Sequence, residues 1–440
     1  MPPSGSPTRT PPSTSTGRWR RSTSRAPRTS RGPCCSPAAT RSCAPTSRSP
    51  RGRRFGRARA LAHRRGDAVL LAEAALGFAG PGITIVDIDE EAIARLEEAI
   101  ESVRHPVLRS RLQARLAVEL YYAPDRGRSE ALSAEAVANA AGDPSALASA
   151  LNARHVSLWR PDRVHERLAT AAEMIAAARE AGERHAELQA RNWRVADLFE
   201  LGDMPAWREE VRRHARLADE LRLPTFQWYA PLWAGVDAML AGRFEEAERL
   251  TAEAEEAGQR AGDRNAALFA DMVRFNAQIE RSAFDEIDMD FLMDKIANSP
   301  AGSAYRSSYA WILAALGETG RARAELDAVV AEGTAFDANW LSAQAECAEA
   351  CIALGDATHA QTVYDRLAPY AGRPVTSGRA VCSFGSADRQ LGGLAALLGR
   401  TEDAAAHLRA AIARDRAMGC AVWSAHAQRT LDRLGSGVAP

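Results

Sequence analysis

From Asp67 onward, apolar positions recur every three to four residues, the period of amphipathic helices rather than of strands. The stretch Leu223–Asp263 shows the unit clearly. Trp228, Leu232, Gly235 and Met239 share one face of a first helix, and Phe244, Ala247, Leu250 and Ala254 share one face of a second. Ala241-Gly242-Arg243 forms the turn between them. A glycine followed by an acid marks the joints, at Gly66-Asp67, Gly142-Asp143, Gly182-Glu183 and Gly262-Asp263. The glycine accepts the left-handed conformation that ends a helix, and the acid favours the start of the next. From Gly142 to Gly182 is 40 residues, from Gly182 to Gly262 is 80, and Gly302 lies 40 beyond. A fixed period of this length predicts an all-α helical-repeat solenoid. Pairs counted from Asp67 number about nine, with a closing helix over Ala421–Leu434. The single β-like run, Ile83–Ile88, reads as a linker.

Upstream the pattern fails. Gly56–Asp67 reads as the last turns of a second helix, yet ten prolines precede Arg51 and deny it a first-helix partner. A frayed, exposed apolar edge is therefore expected near Phe55–Ala75. Composition changes at the same place. Residues 1–65 contain 16 Arg and no acid, so the remainder holds 40 basic and 56 acidic residues, a net of −16 hidden inside a formal charge of zero. An acidic body of this kind does not hold nucleic-acid phosphates, so direct nucleic-acid binding by the repeats is not expected. Lys295 is the only lysine, an Arg bias that speaks first of a GC-rich coding sequence. Residues 1–54 form a disordered Arg/Pro/Ser-rich tail whose leading reading is out-of-frame sequence; a genuine basic tail and a targeting peptide are the alternatives. Residues 55–436 form the repeat domain, and 437–440 a disordered end. No apolar run approaches the roughly 18 residues that span a bilayer, and no apolar signal region follows the arginines, so a cytoplasmic protein without membrane attachment is expected.

The chain lacks the spacings that carry chemistry. A phosphate loop ends in Gly-Lys-Ser/Thr, but Lys295 follows Asp294. A zinc helix from His165 needs a second histidine where Ala169 stands. A calcium loop over Asp285–Asp294 needs Gly and Glu where Asp290 and Ile296 stand. Cys347 and Cys351 share a helix face without further ligands at metal spacing and read as core. Cys34, Cys35 and Cys43 have no histidine near them in sequence. Gly385-Ser386 is no nucleophile elbow and reads as a site of close helix packing. No enzyme, metal or cofactor is expected.

Gly235, Gly242, Phe244, Ala247 and Ala254 lie at spacings 0, 7, 9, 12 and 19 and resemble the small–turn–aromatic–Ala–Ala pattern of the tetratricopeptide repeat. Degenerate copies follow at Ala310, Gly317, Ala322 and Val329, at Ala348, Gly355, Ala360, Tyr364 and Leu367, and at Gly392, Gly399, Ala404, Leu408 and Ala411. The resemblance implies a tetratricopeptide-like right-handed superhelical solenoid whose first helices line a concave surface. Arg, His, Asn and Trp concentrate on three consecutive first helices: Asn152, Arg154, His155 and Trp159, then Arg191, Asn192, Trp193 and Arg194, then Trp228 and Tyr229. Aromatics beside arginines on a concave face suit a protein partner, a peptide or an anionic small molecule, whereas a solvated-Arg and core-Trp reading gives them no partner.

The order of phrases is more specific. Arg115–Asp162, Leu198–Asp203, Leu240–Leu250 and Leu367–Val375 resemble the C-terminal helical-repeat region of large bacterial ATP-binding transcriptional regulators, the LuxR-type and maltose-regulator-like signal-transduction ATPases. The resemblance covers about Phe55 to Leu434. In that family an ATPase domain precedes the repeats and a helix-turn-helix domain often follows. This chain carries neither motif, so the resemblance implies only the sensing and interaction part: a non-catalytic scaffold, a fragment of a larger regulator, with a small-molecule inducer sensor as the alternative and a helical-repeat enzyme as a remote one.

Overall fold

The structure is a computed structural model and describes residues 50–436 except 81–87, 124, 141 and 264. The described residues belong to one compact unit, Cys43–Pro440. Among them the fold is all-helical apart from one short hairpin. Its helices begin with α1 (Pro50–Arg65), α2 (Ala68–Ala79), α3 (Glu90–Ser102), α4 (Pro106–Glu119), α5 (Arg126–Asn139), α6 (Pro144–Ser157) and α7 (Val164–Glu180). Next come α8 (Arg184–Leu201), α9 (Met204–Glu220), the single turn α10 (Pro224–Gln227), α11 (Tyr229–Leu240), α12 (Phe244–Arg260), α13 (Asn265–Glu280) and α14 (Met289–Asn298). The last are α15 (Gly302–Ala315), α16 (Thr319–Glu332), α17 (Trp340–Leu354), α18 (Ala357–Leu367), α19 (Ala387–Leu397), α20 (Thr401–Met418) and α21 (Ala421–Gly435). Between α18 and α19, β1 (Pro374–Ser377) pairs antiparallel with β2 (Cys382–Ser386).

At the four joints Gly66, Gly142, Gly182 and Gly262 all take positive φ, while the acid after Gly182, Glu183, makes no side-chain cap bond. Asp67, Asp143, Asp203 and Asp356 each sit at a helix N-cap, where the side chain accepts a backbone N–H of the first turn. Gly202 and Gly355 occupy the left-handed region at φ 70° and 61°, which costs a side-chain-bearing residue free energy. Consecutive helices pack on one another, and alternate ones also touch: α4 on α6, α15 on α17, α17 on α19. Small residues set the crossings. A methyl added at Gly235 would lie 3.2 Å from the Ala247 carbonyl oxygen, and one added at Gly392 would lie 3.2 Å from that of Ala404. These are the glycine–alanine pairs that share a twelve-residue spacing in the sequence.

Two expectations need correction. The helical region starts at Pro50, ahead of Phe55, and α1 covers α2. Leu71, Ala72 and Ala75 are buried with Ala62 of α1, so the expected frayed edge near Phe55–Ala75 is closed, with only Val69 left as a large exposed apolar side chain there. The tail before Pro50, the linker residues Ile83–Asp87 and residues 437–440 lie outside the described residues.

The second correction is the hairpin. Gly385-Ser386 lies in a strand and not in a helix, although Gly385 does admit the close approach of α21. Gly385 lies in β2 at φ 74°, where an added Cβ would be 2.9 Å from the Cβ of Trp423, and Ser386 caps α19. The hairpin is buried among helices, touching α19, which follows it directly, and α8, α13, α17, α20 and α21. Their side chains stand in for missing neighbouring strands. Asn276 of α13 donates to the Ser383 carbonyl at 3.1 Å and accepts its N–H at 2.7 Å, and Trp423 donates to the same carbonyl at 2.9 Å. Trp233 of α11 donates to the Arg379 carbonyl at 3.2 Å, and Asp415 of α20 accepts the Ser386 N–H at 2.8 Å. A buried strand edge is thereby satisfied without a sheet.

Candidate functional site

The Arg–Trp–His cluster read from the sequence is brought together, but as interior. Trp193 is fully buried; its Nε1 donates to Asn152 at 2.8 Å, His155 stacks on it at 4.8 Å and Trp159 meets it edge-on at 5.2 Å. His155 Nε2 lies 2.8 Å from Asp197, and burial lowers the imidazole pKa. Arg191 bonds Glu187 at 2.9 Å and Glu210 at 2.6 Å, and Arg194 reaches Glu210 at 3.3 Å. Arg154 pairs with Glu166 at 2.8 Å. Trp228 stacks on Tyr229 at 4.0 Å and donates to Asp263. Asn192 is buried between these groups. Only Asn152, Arg154 and Arg194 keep partial exposure.

The occupant of this cluster is the chain itself. Arg379, from the hairpin turn, places its guanidinium 4.5 Å over the Trp193 ring and bonds the Tyr229 hydroxyl at 3.4 Å. Arg373, one residue before β1, bonds Glu200 of α8 at 2.8 Å. Every buried arginine here already has an acid or an aromatic ring, so the cluster offers no open site for an anion.

An open site lies beside it. A cleft-like cavity of about 580 Å³ is lined by the turn after α4, by α6, α13, α14, α15 and α17, and by the hairpin. Aromatic rings wall it: Tyr121, Tyr122, Trp159, Phe269, Tyr305 and Phe384. Of the ten residues selected from the sequence, only Trp159 lines it. Tyr121 is fixed by donating to the Trp159 carbonyl at 3.1 Å and accepting from the Ala338 N–H at 3.2 Å, which ties the loop before α17 to α4 and α6. Three buried polar side chains also line the cavity: Ser308 of α15, and Ser342 and Glu346 one turn apart on α17. Asp271, Arg274, Glu286, Asp288 and Lys295 add charge to its lining.

Glu346 was missed by sequence reasoning. Its only signal is an acid set among Ala, Ser and Cys on a helix that is otherwise buried. Burial pushes its carboxyl up to about 8, against which a hydrogen bond from Ser308 pulls weakly. Burial likewise lifts Asp415 to about 7 and Glu280 well above the carboxylate range. The sign follows from proton linkage. The folded state holds these protons while the unfolded chain has released them, so stability falls as pH rises towards the folded values. The buried His214 and the half-buried His426, lowered to about 3 and about 4, are neutral in both states above their ordinary 6.5. Between about pH 6.5 and 8.5 the protein is therefore expected to lose on the order of 2 kcal/mol. Urea melts at the two pH values check this, with a flatter profile in Glu346→Gln; stability that rises over that range would refute it.

Asp327, Asp356 and His359 bring three possible metal ligands within 4.8 Å of one another. Asp356 is committed to capping α18 and to Arg323 at 3.4 Å, so the group reads as a cap with its ion pairs. Cys347, Cys351, Cys382 and Cys420 are buried and unbridged, and burial raises their thiols, which makes them poor nucleophiles. No helix among the described residues is long and apolar enough to cross a membrane. No protein-family model matches the chain, and no curated protein matches it.

Proposed function

We propose that this chain is a non-catalytic helical-repeat sensor whose cavity beside the hairpin binds a small molecule. In this reading the helix pairs form a tetratricopeptide-like right-handed solenoid of about nine repeats, and the likeness to the repeat region of bacterial ATP-binding regulators supports a role in cytoplasmic signalling or transcriptional control. The Gly235–Ala247 and Gly392–Ala404 crossings support the repeat reading. The observation that carries the sensor reading is the cavity itself. Its roughly 580 Å³ and mainly apolar walls, with several aromatic rings and a few buried polar groups, are what a ligand pocket needs. The groove face expected to hold a peptide is filled by the hairpin, which turns the reading from a protein scaffold towards a small-molecule sensor.

Coupling to a regulatory output follows from what builds the walls. The hairpin, the Ala338 loop and α13–α15 all contribute, so a bound molecule joins segments more than 200 residues apart in sequence. The test is a thermal-shift screen of small amphiphilic metabolites on the full chain. A binder should raise Tm by about 2 °C or more, and the rise should vanish in Ala304→Trp, which fills the cavity. A screen without binders, or a rise that survives Ala304→Trp, would count against the reading.

A further inference from the structure

We infer that the cavity is built for a cationic ligand, an aromatic or aliphatic amine whose ammonium group is held by Glu346, Ser308 and Ser342 while its apolar body lies among the rings. This rests on the sensor reading above. The first argument is the uncompensated acid. Glu346 is 5% exposed, and no cationic side chain among the described residues contacts it. A buried carboxylate is costly without a partner, and a ligand cation that supplies one recovers that cost on binding. The second is the charge inventory of the lining. Asp271, Glu286, Asp288 and Glu346 face only Arg274 and Lys295. Both bases are already engaged, Arg274 with Glu248, Glu255 and Asp271, and Lys295 with Asp294. An anionic ligand would find no free cation and an excess of acid.

The third argument is geometry. Ser342 and Glu346 stand one helical turn apart on α17, and Ser308 of α15 lines the same cavity. Together they offer a carboxylate and two hydroxyl acceptors to the three N–H donors of a primary ammonium. Tyr121, Tyr122, Trp159 and Tyr305 present π faces or edges around the same space, and ring faces attract cations most when water is excluded.

Isothermal titration of the full chain at about pH 8, with three probes of one shape, separates the classes: 2-phenylethylamine, 2-phenylethanol and 3-phenylpropionate. The amine is expected to bind about tenfold tighter than the alcohol, and the carboxylate weakest. In Glu346→Gln the amine should lose that advantage, with alcohol affinity unchanged within about twofold. Should Glu346→Gln not fold, the amine-to-alcohol ratio of the wild-type protein decides the ligand class alone. Alcohol or carboxylate binding as tightly as the amine would overturn the cationic class while leaving the cavity a binding site. Absence of binding by all three probes would overturn the proposal, and the cavity reading would then stand or fall on the screen with Ala304→Trp.

Discussion

Arg191→Ala is expected to destabilise the protein by roughly 3 kcal/mol, because it strands two acids inside. Glu187 and Glu210 are 5% and 3% exposed, and Arg191 bonds both. Arg179 and Arg194 still reach them, at 2.9 Å and 3.3 Å, which keeps the loss near the low end of what a broken buried pair costs. Arg191→Met should cost about as much, since the charge is what matters. Chemical denaturation reads the effect as a lower midpoint with unchanged slope. A change within about 0.5 kcal/mol would show that the acids rehydrate. The expectation also governs how binding data are read. A lost ligand response in Arg191→Ala reports a loosened interior, because Arg191 does not line the cavity.

Trp423→Ala should cost about 3–5 kcal/mol and free the hairpin. Trp423 is 2% exposed, packs under the Arg389 guanidinium at 4.4 Å, and donates to the Ser383 carbonyl. Gly385 has no Cβ because that ring occupies the space. Truncation leaves a large void and removes one of two donors at Ser383. Because Cys382 and Phe384 of β2 line the cavity, ligand affinity should fall along with stability. Limited trypsinolysis checks the mechanism: cleavage after Arg379, in the turn between β1 and β2, should appear in Trp423→Ala. A variant that is destabilised yet uncut there would show that the hairpin is held by Asn276, Trp233 and Asp415 without the tryptophan.

The helices were legible because their signals are local. The caps at Asp67 and Asp143, the glycine turns and the 3–4-residue apolar spacing involve residues within one or two turns of each other. Even the crossings at Gly235 and Gly392 could be read from a repeated twelve-residue spacing. The hairpin was not legible. β1 and β2 have four and five residues, and β2 is buried on both faces, so neither shows the alternation that marks a strand. Its stability comes from Asn276, Trp233, Trp423 and Asp415, which belong to four other helices.

The same division runs through the candidate site. By itself, the sequence placed Trp159, Trp193, Arg191 and Tyr229 on three consecutive first helices, about one repeat apart. Only the tertiary structure decided which side of that cluster is open. Arg379, 150 residues from Tyr229, fills the face the pattern presented as a groove. The cavity then forms where the hairpin, the Ala338 loop and α13–α15 meet around Glu346. Periodicity reports which residues share a face. It carries no information on what packs against that face, because the covering segment is chosen by long-range contacts, and the energy of a buried carboxyl depends on surroundings supplied by distant parts of the chain.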